Sequence, residues 1–396
     1  MRFFDAHCDT IGPILEAGAD FLAGPEARAA AAARGAAPAA PAANAADPEA
    51  GSAGSPAPAP VPHITLPAMK AGRLGAQVFA SWVWSGKYRG REFETGMVKV
   101  EGVRTLCAGH PGELFLASTG ADLAAALPTA VPEGTPLDPP AGEARIAVLP
   151  SLEGSDSLEG DIDNLFAFYD AGVRLLTLAW DDTPFCGSTY GDGAGLSKKG
   201  VDLVAACESL GVIVDVSHLS DQGFADLCGV AERPFVASHS NCRSLCPSPR
   251  NLTDDMIRTI AERGGVMGIT LAPGFLSAEY CAKEKSGSGQ SLQDVRSGKE
   301  TYEDAEKRIM AAMAGVALPP LALVVDHVKW AIDKGGEDCV GLGGDLDGVD
   351  FLPAGFAGVE DYPRIEELLL AGGLTPRQVE KVCYENFLRV FREILG

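Results

Sequence analysis

The sequence predicts a single (β/α)8 barrel domain spanning residues 1–396, and three observations lead to it. Eight short apolar runs punctuate the chain, helical patterns lie between them, and most runs are continuous rather than alternating. Continuous Val, Ile, Leu and Phe stretches are typical of strands buried in a parallel sheet. Strand and helix alternating eight times favours the barrel, with insertions accounting for the extra length. The runs are 2–7, 74–82, 145–152, 173–179, 212–217, 234–238, 265–270 and 339–344.

The helices between these runs have recognisable start signals. Ser220-Asp221 and Thr253-Asp254-Asp255 each place a capping side chain and acidic residues at a first turn. A final helix over 375–395 begins with Thr375-Pro376, a cap followed by proline at the first helical position. The other helices are predicted over 161–171, 199–210, 220–230, 253–263 and 321–334.

Two stretches depart from this rhythm. Residues 24–61, after the first strand, are dominated by Ala, Pro and Gly, so they have too few large apolar groups to offset their ordering entropy. We therefore expect a mobile insertion there, at the rim of the barrel. The polar stretch 282–300, after the seventh strand, is interpreted as a lid or, alternatively, as a second mobile insertion.

Charge and composition limit the classes of partner. The formal charge is −22, from 32 basic and 54 acidic residues, which argues against nucleic acid or an anionic membrane. No apolar run has the length of a membrane span, and the first residues lead directly into a strand without a signal peptide. Ten cysteines without regular spacing then indicate reduced thiols in a cytoplasmic protein.

Five of the predicted strands end in residues that bind metals or move protons. The carboxyl ends of barrel strands meet at one mouth, so these residues converge although they are distant in sequence. In the first strand, alternation places His7 and Asp9 on one face. The set is His7, Asp9, Glu153, His218, His239 and Asp345.

These residue types are those that a two-zinc hydrolytic site requires, in which paired metals activate a shared water. Glu153 is the natural bridge between two Zn²⁺ ions, because its carboxylate offers one oxygen to each. We expect His7 and Asp9 to hold one ion, and His218 and His239 the other. Asp345 remains as the proton carrier between the water and a leaving amine, with Asp347 as the alternative.

Structural interpretations stand beside these assignments. His218 could be a core histidine before a capped helix, and Glu153 could merely close a loop with Gly154. The sequence 345–350 resembles a calcium loop superficially, but its glycine comes too early and no bidentate glutamate follows. The other three histidines, His63, His110 and His327, are interpreted as structural.

Arg250 follows the sixth strand and precedes a capped helix. A guanidinium at the mouth of an acidic, metal-lined site is suited to clamping a substrate carboxylate. The structural alternative is a surface arginine that pairs with Asp254 or Asp255. Arg243, on the same loop, is the second choice for the clamp.

Five motifs carry a resemblance to a known family. DAHCDT, PSLEG, VDVSHLS, ASHSNCRSLCPSPRNLTD and GLGGDLDG, in this order, resemble the renal (membrane) dipeptidases, peptidase family M19, from residue 2 to about 391. The resemblance implies an amidohydrolase-type barrel, a binuclear zinc site and hydrolysis of dipeptides, including those with a C-terminal D-residue. It also implies a homodimer. The family's metal ligands correspond to His7, Asp9, Glu153, His218 and His239, its clamp to Arg250 and its acid/base to Asp345.

Trp180 marks a departure from the mammalian branch, which has a histidine at this position that contacts substrate. Trp180 is therefore predicted to line the substrate site, while oxyanion stabilisation and substrate range stay open. The sequence thus predicts a zinc dipeptidase. The alternatives are another amidohydrolase-type reaction, on lactones, β-lactams or N-acyl amino acids, and a metal-binding relative without turnover.

Overall fold

Eight parallel strands close into a barrel in this computed structural model, which describes residues 2–33, 59–127, 144–288 and 291–396. Around the barrel the order is β1, β2, β4, β5, β6, β7, β8 and β9, and β9 pairs with β1 to close it. The strands are β1 (Phe3–Cys8), β2 (Leu74–Trp82), β3 (Leu114–Leu116), β4 (Ile146–Glu153), β5 (Leu175–Thr177), β6 (Ile213–Asp215), β7 (Val236–Ala237), β8 (Val266–Ile269) and β9 (Val340–Leu342).

Helices surround the barrel and fill the connections between its strands. They are α1 (Ile11–Ala17), α2 (Pro25–Ala33), α3 (Leu66–Ala71), α4 (Ser85–Tyr88), α5 (Glu92–Gly109), α6 (Gly120–Ala126), α7 (Asn164–Asp170), α8 (Lys198–Leu210), α9 (Asp221–Val230), α10 (Asp254–Glu262), α11 (Pro273–Leu276), α12 (Ala278–Ser288), α13 (Ser291–Arg296), α14 (Tyr302–Met313), α15 (Leu323–Gly335), α16 (Tyr362–Ala371), α17 (Pro376–Glu380) and α18 (Asn386–Leu395). Among the described residues, no helix is both long and apolar enough to cross a membrane.

The predicted barrel is confirmed, and each of the eight predicted runs overlaps one of its strands. The prediction missed β3, which pairs in parallel with the start of β4. Local capping explains several helix starts: the hydroxyls of Ser220 and Thr253 accept hydrogen bonds from the first turns of α9 and α10. All ten cysteines are free thiols.

The last helix closes the end of the barrel opposite the strand carboxyl ends. The helical segment from α17 to α18 is continuous through a π-helical turn, Lys381–Glu385. Helix α18 contacts β1, β6, β8 and β9. Its Phe391 ring lies 4.9 Å from the ring of Phe4, near the start of β1. This packing covers one end of the barrel with apolar side chains.

The first insertion begins with an ordered helix, which differs from the expectation for residues 24–61. The side chain of Arg28, on α2, donates to the carbonyl oxygens of Pro62 and His63 and pairs with Glu360. These contacts fix the start of the insertion against the barrel although its composition is poor in large apolar groups. Residues 34–58 lie outside the described residues.

The second insertion, after β8, forms α12, α13 and α14, with residues 289–290 outside the described residues. Val295 and Ala305 of this segment pack with Trp84 in a small apolar cluster separate from the main core. The described part of the polar stretch 282–300 is therefore largely helical, and its Leu292, Val295 and Arg296 line a cavity at the mouth of the barrel.

Candidate metal centre

Glu153 lies between histidines from three different strand ends. Its Oε1 is 3.0 Å from Nε2 of His218 and 3.6 Å from Nε2 of His239. Its Oε2 is 3.6 Å from Nε2 of His7. All four residues are buried. The two oxygens of one carboxylate thus face different histidines, which is the arrangement expected of a carboxylate that bridges two cations.

Asp9 and Asp345 complete the cluster on the side of His7. Nε2 of His7 lies 3.5 Å from Oδ2 of Asp9 and 4.0 Å from Oδ1 of Asp345. A Cβ built at Gly348 would collide with both carboxylates, so any larger residue there would displace them. Two sets of three residues bring their donor atoms within 4.8 Å of one another inside each set. One set is His7, Glu153 and His239, and the other is His7, Asp9 and Asp345.

The donor set fits a pair of metal ions. Imidazole nitrogens and carboxylate oxygens in this number are the ligands that zinc takes in hydrolytic enzymes. Nε2 of His7 and Oδ1 of Asp9 are buried and have no hydrogen-bond partner among the described residues. Buried polar atoms ordinarily have a partner, and a bound cation would supply one to each of these.

The electrostatics of the cluster also favour cations. Burial and the Asp9 carboxylate raise the pKa of Glu153 to about 8, although His7 opposes this. Burial lowers the pKa of His7, but the Glu153 and Asp9 carboxylates outweigh it, so that pKa is raised well above its usual value. Burial raises the pKa of Asp345 to about 7 against the effect of His7. Crowded acidic groups in a buried site repel one another, and positive ions between them relieve that repulsion.

Two residues of the cluster have strained backbone conformations. The φ angles of His218 and Asp345 are 65° and 59°, in the left-handed region that non-glycine residues seldom adopt. Such strain persists only where the surrounding structure imposes it, and it concentrates at functional sites. It argues against His218 being an ordinary core histidine.

Asp347, the alternative proton carrier, is engaged elsewhere. Its carboxylate accepts hydrogen bonds from the hydroxyl of Thr10 at 2.5 Å and from the backbone N–H groups of His63 and Ile64 at 2.6 and 3.2 Å. Nδ1 of His63 in turn accepts from the backbone N–H of Asp347. These bonds connect the loop after β9 to the segment before α3, so both carboxylate oxygens of Asp347 are occupied by hydrogen bonds.

Arg250 is buried next to the cluster, with 3% of its surface exposed. It donates to the carbonyl oxygen of His239 at 3.1 Å, and within the described part of the chain its buried Nε has no hydrogen-bond partner. Among the described residues no carboxylate lies within ion-pair distance of Arg250. The structural alternative, pairing with Asp254 or Asp255, is not seen among the described residues, where Asp254 accepts from Ser244 and Trp330 and Asp255 pairs with Arg258.

Arg243, the second choice for the clamp, is committed to another partner. Its guanidinium donates two hydrogen bonds of 2.7 Å to the carboxylate of Asp221, at the start of α9. It also donates to the carbonyl oxygens of Pro249 and Asn251. Arg243 therefore braces the loop that carries Arg250, and its charge is already balanced.

A cavity of about 1000 Å³ opens above the cluster. Trp180 lines it, and the Trp180 ring lies 5.1 Å from the ring of Trp82 and 6.0 Å from that of His218. The cavity is thus polar and acidic at its base and aromatic on one side. Such a combination suits a small ligand with both charged and apolar groups.

The insertion after β8 forms the outer wall of this cavity. Arg296, on α13, pairs with the carboxylate of Asp181 and donates to the carbonyl oxygen of Tyr190 at 2.8 Å. Asp181 also accepts a 2.7 Å hydrogen bond from the indole of Trp84. One buried carboxylate therefore fastens the insertion to the rim of the barrel, next to Trp180.

Three residues near the cluster were not predicted: Tyr190, Asp215 and Ser238. Tyr190 lines the cavity, and its ring lies 5.5 Å from that of His218. Asp215 and Ser238 are fully buried below the histidines. For Asp215 a signal exists in the sequence, because an aspartate within an apolar strand needs buried hydrogen-bond partners. Tyr190 lies in a loop, where no periodic pattern reveals which side chains point inward.

Comparison with known proteins places this geometry among related chains. The family described as "Membrane dipeptidase (Peptidase family M19)" matches residues 57–395. An uncharacterised protein from the pqqA 5' region of Klebsiella pneumoniae is 32% identical over 257 residues, covering 63% of this chain and 82% of that protein. Mouse dipeptidase 3 is 26% identical over 337 residues, and the match covers 83% of this chain but 57% of that protein.

Solved structures show the same fold. A structure titled dipeptidase AC, a metallopeptidase of family M19, has a TM-score of 0.70 at 23% identity, covering 100% of this chain and 99% of that one. A metallopeptidase from Rhodobacter sphaeroides, liganded with a phosphinate mimic of the dipeptide L-Ala-D-Ala, has a TM-score of 0.67 at 22% identity, with 99% and 98% covered. At these identities the likeness establishes the architecture.

Proposed function

Because the chain belongs to the membrane dipeptidase family, peptidase family M19, we propose that it is a zinc-dependent dipeptidase. Its substrates are dipeptides with a free C-terminal carboxylate, of the L-Xaa-L-Xaa or L-Xaa-D-Xaa type. The match covers somewhat over half of mouse dipeptidase 3, so the proposal rests on this chain's own residues as well as on the family.

One observation carries the proposal: the position of Glu153 between His7 on one side and His218 and His239 on the other. His7, Asp9 and Glu153 would hold one zinc ion, and Glu153, His218 and His239 the second. Two such zinc ions, when bound, supply an activated water and polarise the scissile carbonyl.

Arg250 is proposed to bind the substrate's terminal carboxylate. Its guanidinium is buried beside His239, its charge has no carboxylate partner among the described residues, and its Nε has no hydrogen bond. Arginine binds carboxylates through two parallel hydrogen bonds, so a carboxylate one residue beyond the scissile bond would be fixed in position. This contact favours the binding of dipeptides over that of longer peptides.

Asp345 is proposed to move the proton. It lies at the same side of the cluster as His7 and Asp9, and its Oδ2 is 3.5 Å from the hydroxyl of Thr270. From this position its carboxylate takes a proton from the attacking water and delivers it to the departing amino group. A single residue then serves as base and acid in turn.

A substrate panel tests the proposed function. We expect purified zinc-loaded protein to hydrolyse L-Xaa-L-Xaa or L-Xaa-D-Xaa dipeptides and to lose this activity on chelation. Dipeptide amides, which lack the terminal carboxylate, should be much poorer substrates. Preferential turnover of a lactone, a β-lactam or an N-acyl amino acid would favour the amidohydrolase alternative. Zinc binding without any hydrolysis would favour a non-catalytic relative.

Replacement of Arg250 by methionine should raise KM for dipeptides by about 10- to 100-fold, the loss expected for hydrogen bonds to a charged group. Methionine keeps an apolar stem against Phe275, over whose ring Arg250 lies at 5.3 Å. Steady-state kinetics with dipeptides of free carboxylate measure the effect. Arg258→Met is the control and should change KM by less than about threefold, because Arg258 is exposed on α10 and pairs with Asp255. An unchanged KM in Arg250→Met would exclude the clamp.

A further inference from the structure

Below the histidines, Asp215 and Ser238 form a fully buried hydrogen-bonded pair. The Asp215 carboxylate accepts from the backbone N–H groups of Ser217 at 2.9 Å and of Ser238 at 2.8 Å. It also accepts from the hydroxyl of Thr177 at 2.6 Å and from that of Ser238 at 2.5 Å. With donors on all sides, this carboxylate acts only as an acceptor.

The hydroxyl of Ser238 has a single hydrogen, which it donates to Asp215. Its oxygen therefore faces the neighbouring imidazole rings as an acceptor. Nδ1 of His239 lies 2.8 Å from this oxygen, and Nδ1 of His7 lies 3.4 Å from it. Both ring nitrogens are therefore placed to donate to this oxygen, as is the hydroxyl of Ser217 at 3.4 Å.

A histidine with its hydrogen on Nδ1 presents a free lone pair on Nε2. Nε2 of His7 faces Oε2 of Glu153, and Nε2 of His239 faces Oε1 of Glu153, each at 3.6 Å. The two rings therefore point toward opposite oxygens of the proposed bridge. One hydroxyl thus orients a ligand on each side of the metal pair.

His218 provides a contrast within the same cluster. Its Nδ1 is buried without a hydrogen-bond partner among the described residues. The hydroxyl of Ser238 therefore serves two of the three histidines and leaves the third unaffected. General packing below the site would affect all three histidines, whereas the Ser238 hydroxyl contacts only His7 and His239 among them.

We propose that Ser238, backed by Asp215, is a positioning residue that holds His7 and His239 with hydrogen on Nδ1 and so tunes zinc affinity on both sides of Glu153. The inference rests on the metal site of the proposed function but not on the dipeptide reaction. Outer partners of metal-bound histidines typically contribute about 10- to 100-fold to metal affinity. A partner shared by two ligands should weaken both sites when it is removed.

Zinc affinity and histidine spectroscopy test this inference. Ser238→Ala should lower the affinity for both zinc ions by about 10- to 100-fold, measured by competition with a chromophoric chelator. In long-range ¹H–¹⁵N spectra of the zinc-loaded protein labelled at histidine, the Nδ1–H protons of His7 and His239 should exchange faster with water, while the His218 signals stay in place. Ser238→Thr keeps the hydroxyl and should restore affinity to within about threefold.

Ser151→Ala is the matched control. Ser151 is a fully buried serine in β4 whose hydroxyl donates to the carbonyl oxygen of Phe79. It should bind zinc like the wild type. Equal losses in Ser151→Ala and Ser238→Ala, or unchanged zinc affinity and histidine spectra in Ser238→Ala, would overturn the inference.

Asp215→Asn tests the pair independently, should Ser238→Ala not fold. An asparagine oxygen still accepts the two backbone N–H groups, but its amide nitrogen frees the Ser238 hydrogen to turn toward a ring. Zinc affinity should again fall, and wild-type affinity in this variant would contradict the proposal. Because the readout is zinc binding, a wild type that binds zinc but cleaves no dipeptide would refute the proposed activity and leave this test intact.

Discussion

Replacement of Asp345 by asparagine is expected to lower kcat for dipeptides by about 10²- to 10⁴-fold, the usual contribution of a positioned general acid–base group. Asparagine has nearly the same shape but neither takes nor returns the proton. The clamp at Arg250 is untouched, so KM should change far less than kcat. Zinc content should stay at the wild-type level, since His7, Asp9 and Glu153 remain. Steady-state kinetics together with metal analysis of the same preparation measure both quantities.

Asp347→Asn is the control for this prediction. Asp347 is only two residues away, but its carboxylate is occupied by Thr10 and by the backbone of His63 and Ile64. This variant should lose about 1–3 kcal/mol of stability with little loss of kcat, because a buried hydrogen-bonded group is weakened. A near-normal kcat in Asp345→Asn, or the larger loss in Asp347→Asn, would show that the proton carrier is misassigned.

Replacement of Glu153 by glutamine should have an effect on both metal binding and turnover. The side-chain amide of glutamine has one oxygen and no negative charge. It therefore cannot offer one oxygen to an ion beside His7 and another to an ion beside His218. We expect the zinc affinity of at least one site to fall by more than about 100-fold, beyond the loss typical of an outer partner. Dipeptide hydrolysis should fall by at least about 10³-fold, because paired metals no longer share a water. Chelator competition and kinetics at saturating zinc separate the two losses.

Asp156→Asn is a matched control for Glu153→Gln. Asp156 is also buried, three residues further along the chain, and its carboxylate accepts from the backbone N–H and hydroxyl of Ser85. It contacts no histidine of the cluster. Its zinc affinity should therefore equal that of the wild type. Full binding of two zinc ions by Glu153→Gln would be incompatible with the bridge.

The barrel could be predicted from sequence because its strands are buried on both faces and so read as unbroken apolar runs. The prediction missed β3 because the apolar run around it, 114–117, is short, whereas the three-residue strands β5, β6 and β9 lie within longer predicted runs. Helix α2 escaped because its anchor is one side chain, Arg28, whose partner Glu360 lies far along the chain. The helix propensity of a local segment contains no information about a contact with a residue so distant in sequence.

The positions of the strand ends were enough to predict that the histidines and carboxylates converge. They were not enough to decide which of two nearby residues of the same type has the functional role. Arg243 and Arg250 lie on one loop, and only the position of Asp221, on another element, shows which guanidinium is already paired. Asp345 and Asp347 differ in the same way, because the carboxylate of Asp347 already accepts hydrogen bonds from Thr10 and from the backbone of His63. The left-handed backbone of His218 is likewise invisible in its sequence neighbours.

Anomalous diffraction at the zinc edge from crystals of the zinc-loaded protein would test the central claim most directly. Two peaks are expected, about 3.5–4 Å apart, one on each side of the Glu153 carboxylate. His7 and Asp9 should bind one ion, and His218 and His239 the other. A single peak, or peaks that lack Glu153 as a common ligand, would contradict the account.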